Sequence, residues 1–356
     1  MIYFEDLKFR WDQLNNLVEY LETKADVQNW EHDLCESIKY WVSAAKTYPQ
    51  KTSGSTGMPK LIQLAKSTMK KSALKTGKAL NLKSGDNALL CLPARYIAGI
   101  MMIVRAQTLG MNLIIVPPKS KPDMTGDLPI GFCAMTPMQV WSLISTNQRA
   151  LERVEKLIIG GGPVSSALES ALQNISTQCY HTFGMTETAS HIALRSLNGV
   201  NRSENFKTLQ GVEVRENKDG SLLFQVDHLE ERIITTRDIG DVIDNGRFIW
   251  KGRLDNMINS GGIKIIPEII EKKIAHLIRH RYFVSGTPDP ILGQKLILVI
   301  EAISWTESEK NDLMEAMSQS LDKLEVPKLI YFVPKFEETK SGKVIRKFNL
   351  LKDRKP

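Results

Sequence analysis

Apolar residues recur at helical spacing through the first 48 positions: Leu7, Trp11, Leu14, Val18 and Leu21 share one face, and Leu34, Ile38 and Trp41 another. This opening stretch is expected to be helical. After a glycine-rich segment at 52–60 the pattern changes. Short apolar runs at 87–92, 112–116, 130–135, 156–160 and 177–183 alternate with longer stretches, and each of the first four is followed by enough residues for a helix. That alternation predicts an α/β fold with a largely parallel sheet and helices packed on it. From about residue 211 come strand-like segments at 222–226, 231–236 and 247–251, joined by the turns Lys218-Asp219-Gly220 and Asp244-Asn245-Gly246. Past residue 255 the texture changes again. A helix opens at Pro267, a favourable first-turn position. Strands follow near 282–285 and 295–301, then a helix over 307–324 and a strand at 329–333. The expected division is a large domain over 1–254 and a small α+β domain over 255–356.

Composition narrows the class. The 356 residues are 42% hydrophobic and 24% charged, which is enough for ordinary cores. The net charge of +7 is scattered, with no basic stripe interleaved with aromatics. This favours an enzyme with polyanionic substrates over a nucleic-acid binder. The start, MIYFEDLKFRWDQL, is not a signal peptide, and no apolar run approaches the roughly 18 to 20 residues needed to span a bilayer. Cys35, Cys91, Cys133 and Cys179 lie far apart without metal-ligand spacing, as expected of free thiols in a cytoplasmic protein.

The chemistry begins with Thr52-Ser53-Gly54-Ser55-Thr56-Gly57-Met58-Pro59-Lys60. Two glycines among four hydroxyl residues let amides and hydroxyls wrap an oxyanion, and Lys60 adds a positive charge. It is not a Walker A loop, because no Gly-Lys-Ser/Thr follows at the required spacing. Further segments follow in order: Gly160-Gly161-Gly162-Pro163, His181-Thr182-Phe183-Gly184-Met185-Thr186-Glu187 and Thr236-Arg237-Asp238. Gly252-Arg253-Leu254-Asp255 then runs on through Ser260-Gly261-Gly262 to Ile266-Pro267-Glu268, and Thr339-Lys340-Ser341-Gly342-Lys343-Val344-Ile345-Arg346 closes the series.

This ordered set resembles the superfamily of acyl-CoA synthetases, peptide-synthetase adenylation domains and luciferases. The resemblance implies a two-step reaction using ATP, magnesium and coenzyme A, with a small carboxylic acid as the remaining partner; no nucleic-acid partner and no membrane span are expected. A homo-oligomer is left open. By resemblance the loop at 52–60 holds phosphates, Glu187 holds magnesium and Thr186 contacts the α-phosphate. Phe183, with Gly184 and Met185 beside it, packs on adenine opposite Gly161, Gly162 and Pro163. Asp238 takes the ribose hydroxyls with Arg253 close by. Lys343 is the expected adenylation residue, because a lysine there can offset charge where two anions must approach. Asp255 is the hinge of a mobile C-terminal domain, and Gly261 and Gly262 admit the pantetheine arm.

The chain departs from the family in having only 51 residues before the phosphate loop, a reduced β-subdomain between Glu187 and Asp238, and Tyr96 where the family often has histidine. The segments at 183–190 and 252–262 are most similar to the o-succinylbenzoate–CoA ligase branch. Its substrate is an aromatic dicarboxylate. Candidates near the acid are Arg95, Tyr96, Gly99, Ser190, His191 and Arg195; His191 and Arg195, four apart, could equally share a helix face. Another acid, or a non-catalytic nucleotide-binding relative, is the alternative.

Overall fold

The computed structural model describes residues 1–51, 60–124, 126, 128–229, 233–338 and 344–346. Packing divides the chain into two compact units, one built from Met1–Glu213 with Gln225–Ile234, the other from Val214–Phe224 and the residues from Thr235 onward.

In chain order the first unit carries β1 (Ile2–Phe4), β2 (Leu7–Phe9), α1 (Leu14–Thr23), α2 (Asn29–Val42), β3 (Thr47–Lys51), β4 (Leu61–Ala65) and α3 (Lys66–Leu80). It continues with β5 (Asn87–Leu90), α4 (Ile97–Leu109), β6 (Asn112–Ile115), β7 (Ile130–Met135), α5 (Pro137–Leu151) and β8 (Val154–Ile159). Then come α6 (Ser166–Leu172), β9 (Gln178–Met185), β10 (Ser190–Ser196) and β11 (Phe206–Thr208). The strands lie in the order β11-β10-β9-β8-β7-β5-β6-β1-β2. From β1 through β9 the neighbours are parallel, whereas β2, β10 and β11 add antiparallel edges. This is the mostly parallel sheet that the apolar runs predicted. One face is sealed by Leu89, Cys133, Met135, Leu157 and Ile159 against Val140, Leu143, Leu168 and Leu172 of α5 and α6.

Two local expectations fail. The first 48 residues are not wholly helical, because Ile2 and Phe4 are fully buried and β1 pairs in parallel with β6, so the tertiary partner outweighs the helical spacing that began at Leu7. The chain after Ile115 forms no helix among its described residues before β7; Pro117, Pro118, Pro122 and Pro129 withhold the backbone donors a helix needs.

The four strands β12 (Val212–Glu216), β13 (Ser221–Val226), β14 (Ile233–Asp244) and β15 (Arg247–Arg253) follow in spatial order. Beyond them lie β16 (Ile258–Ser260), β17 (Ile263–Ile265), α7 (Pro267–Ile274), β18 (Tyr282–Asp289), β19 (Gly293–Glu301), α8 (Glu307–Ser320) and β20 (Leu329–Val333). The α+β texture expected past residue 255 is a five-stranded sheet ordered β17-β16-β19-β18, with β20 parallel to β19. Strand alternation splits β19 between two cores. Leu296, Leu298 and Ile300 face Ile270, Ile274, Leu313 and Met317 of the helices. Ile297 and Val299 face Tyr331 and Phe336.

Candidate active site

In the first unit, the turn Gly160-Gly161-Gly162-Pro163 leaves β8, and the next strand, β9, carries His181, Phe183 and Met185 alongside it. His181 places Nε2 3.3 Å from the Gly162 carbonyl, so that nitrogen carries the proton and donates. Its Nδ1 is then an acceptor, buried and without a partner. Burial, helped by the nearby Arg195, pushes the ring down to about 3, and His181 is neutral at physiological pH. Phe206 of β11 packs against both His181 and Phe183, with centroids at 5.3 and 5.9 Å. A half-buried aromatic wall, a glycine turn and an orphaned acceptor thus share one end of the sheet.

The turn between β9 and β10 presents Thr186 buried and Glu187 exposed. Thr188 organises it: its Oγ1 accepts from the Met185 amide at 3.0 Å, and Ala189 N donates to Thr186 O at 3.0 Å. Ala189 and Ser190 sit at φ of 53° and 127°, conformations that residues with a side chain rarely adopt. At Gly184 any Cβ would strike the Ser190 carbonyl and the His191 backbone, so the tight hairpin requires glycine.

Behind this turn lies a residue that sequence reasoning missed. Arg105 is the one charged residue of α4 and is only 1% exposed. Its Nη2 donates to Ser190 Oγ and, at 3.4 Å, to His191 Nδ1, while Nε donates to Thr76 Oγ1 at 3.4 Å. His191 Nε2 in turn donates to Thr76 Oγ1 at 3.2 Å, and Thr76 Oγ1 donates to the Ser72 carbonyl at 3.1 Å. Among the described residues no carboxylate pairs with this guanidinium. Burial lowers Arg105 to about 9, still protonated at neutral pH, and burial together with Arg105 holds His191 well below its ordinary range and neutral. A lone arginine in the apolar run 97–109 was the available signal.

The other acid candidates lie elsewhere. Arg195 shares no helix face with His191, since both are on β10, and its guanidinium is paired with Glu169 at 2.9 Å. Arg95 is exposed, pairs with Asp33 at 2.7 Å and stacks over the Tyr96 ring at 4.9 Å. Gly99 packs on the Pro93 carbonyl, where a side chain would collide. The candidates Thr52, Ser53, Gly54, Ser55, Thr56 and Gly57 lie outside the described residues, as does Lys343. The strands flanking the first of these segments pair antiparallel, with Lys51 opposite Leu61, and Lys60 is exposed.

In the second unit Asp238 and Arg253 face each other across β14 and β15. Asp238 accepts from Trp250 Nε1 at 2.9 Å and from Arg253 at 3.4 Å, and within β14 Thr236 Oγ1 accepts the Asp238 amide at 3.1 Å. Arg253 also donates to Asp255 at 2.8 Å, and Arg237 pairs with Asp255. Burial alone would raise Asp255, but these two guanidinium groups overcome it and hold the carboxyl below its usual range. Gly261 and Gly262 form the turn of the β16–β17 hairpin with φ of 60° and 82°, a conformation that two successive glycines accept without strain. Among the described residues no group of three or more metal-binding side chains occurs, and no helix is long and apolar enough to cross a membrane.

With this geometry in place, comparison with known proteins adds ancestry. The family described as AMP-binding enzyme matches residues 43–218. A 2-succinylbenzoate–CoA ligase of Bacillus cytotoxicus is 28% identical over 83% of this chain and 68% of its own length. One from Listeria monocytogenes is 27% identical over 96% and 76%. Among solved structures, an acyl-CoA synthetase (AMP-forming)/AMP-acid ligase II-like protein from Dyadobacter fermentans is 35% identical, covering 91% of this chain and 95% of its own, with a TM-score of 0.61. The fold is also that of the Bacillus subtilis O-succinylbenzoate coenzyme A synthetase in complex with ATP and magnesium, at 18% identity, 97% and 82% coverage and a TM-score of 0.69. The chain therefore belongs to the AMP-binding enzyme family.

Proposed function

We propose that the chain is an acid–CoA ligase that converts 2-succinylbenzoate to its coenzyme A thioester through an acyl-adenylate. The observation that carries the choice of acid is Arg105, a buried cation with no carboxylate partner among the described residues, joined to Ser190 at the β9–β10 turn. An isolated buried charge is costly, and a second carboxylate on the acid would relieve that cost. A fatty acid has none to offer. The named activity of the curated relatives points the same way.

Each unit offers groups of the kind a nucleotide needs. The unpartnered Nδ1 of His181 can accept from the exocyclic amine of adenine, while Phe183 supplies an apolar wall. Asp238, paired across the strands with Arg253, is the carboxylate for the ribose hydroxyls. The acid carboxylate attacks the α-phosphorus and pyrophosphate leaves. The charge that builds on the phosphate oxygens falls to the segment at 52–60, Thr186 and Lys343. Glu187, exposed on its turn, is the hard oxygen ligand for magnesium, which when bound neutralises phosphate charge. Transfer to coenzyme A then needs the lysine withdrawn and the pantetheine arm admitted past Gly261 and Gly262, with Asp255 as the hinge.

A panel of acids assayed for pyrophosphate release, with and without coenzyme A, tests this reading. 2-Succinylbenzoate should far exceed benzoate, acetate and long-chain fatty acids. Faster turnover of a fatty acid would remove the assignment of the acid and the role of Arg105 together.

A further inference from the structure

Beside Gly252, which directly precedes Arg253, the second unit gathers charged side chains around one point. Arg346 donates to both oxygens of Glu271, at 2.9 and 2.7 Å, and reaches Glu268 at 3.5 Å. The two glutamates are three residues apart on α7, so both carboxylates leave one helix face. Glu271 also accepts the Val284 amide at 2.8 Å, and burial pushes its carboxyl up to about 7 even with Arg346 against it. Glu268 accepts from the Asn256 side chain, and its second oxygen is buried without a partner.

Such a cluster does little for net stability, because desolvation offsets the attraction; what it specifies is position. Apart from the cluster, Val344 packs against the core that includes Phe283, Ile297 and Phe336. Val344 bridges to Glu338, Ile345 N donates to Glu337 O at 2.8 Å, and Ser285 Oγ donates to Arg346 O at 3.4 Å. In sequence, Lys343 directly precedes Val344, and Asp255 directly precedes Asn256.

We propose that Glu271 and Glu268 are positioning residues for adenylation: through Arg346 they fix the segment that Lys343 precedes, and through Asn256 Glu268 ties that segment to the residues after Asp255. Lysine delivery and the hinge then move as one piece. This rests on the reading of Lys343 as the adenylation lysine.

The test uses Glu271→Gln and Glu268→Gln in the full chain at pH 8. Glutamine keeps an acceptor for Val284 or Asn256 but removes the charge, and at 271 it also turns an amide NH2 toward one of the two Arg346 donors, so the grip on Arg346 is lost. Acyl-adenylate formation should fall about 10- to 100-fold in kcat, the scale of a misplaced catalytic group. KM for ATP and acid, and thioester formation from supplied adenylate, should each stay within about threefold. The Ile345 amide should exchange hydrogen faster while β19 keeps its protection. Unchanged adenylation and exchange, or equal loss in both half-reactions, would overturn the proposal. Lys343→Ala, run in parallel, separates the two layers. Were it to leave adenylation intact, the reading of the site would fall. Were it to cripple adenylation while both glutamine variants behaved as wild type, only the positioning role would fall.

Discussion

Replacing Arg105 with methionine should move stability and acid binding in opposite directions. Burial lowers this guanidinium from its ordinary value to about 9, a cost of about 5 kcal/mol for keeping the charge inside. Methionine keeps an unbranched apolar stem and sheds the charge. The charge-assisted hydrogen bond to Ser190 is lost, at about 1.5 kcal/mol, with the bonds to His191 and Thr76, which are stretched to 3.4 Å and worth roughly 1 kcal/mol each. Their former partners stay satisfied, since Ser190 lies 3.4 Å from His191 Nδ1, His191 bonds Thr76 and Thr76 bonds the Ser72 carbonyl. The apo protein should therefore gain about 1 kcal/mol, seen as a higher denaturant midpoint at unchanged slope. Acid binding should weaken, because a charge-assisted hydrogen bond is worth about 1.5 to 3 kcal/mol, and KM for 2-succinylbenzoate should rise about 10- to 100-fold. At an acid concentration about 100 times Kd the wild type should gain about 2.7 kcal/mol from ligand, which the variant should largely lose. A variant that is less stable than wild type and yet has an unchanged KM would refute the reasoning.

Three further outcomes are expected. Lys343→Ala should cut acyl-adenylate formation while leaving thioester formation from supplied adenylate much less affected, measured as separate half-reactions. His181→Ala should raise KM for ATP about 10-fold and erode discrimination against GTP, whose carbonyl opposes the Nδ1 acceptor, as competition kinetics would report. Glu271 is held up at about 7, so between the ordinary carboxylate range and pH 7 the folded chain keeps a proton that the unfolded chain has lost. Stability from this group therefore falls as pH rises through that window, by about 3 kcal/mol, and levels above it. Glu271→Gln should flatten that dependence in denaturant midpoints taken at about pH 5 and pH 8.

Much of the first unit was legible because buried parallel strands are apolar throughout: the runs at 87–92, 130–135 and 156–160 became β5, β7 and β8. Short motifs announce themselves for a similar local reason. A hairpin as tight as that of β9 and β10 admits only glycine at 184, and a turn such as that at 261–262 selects paired glycines. These constraints act within a few residues, so one sequence displays them. The tertiary structure alone decided which charges are spoken for. Arg195 and Arg105 are each one arginine on a regular element, yet Glu169, folded back from α6, neutralises the first, and nothing described neutralises the second. Likewise β1 became a strand because β6 lay open beside it, and Arg346 found Glu271 across 75 residues of chain. Coulombic pairing and strand addition depend on distances in space, which spacing along the chain does not encode.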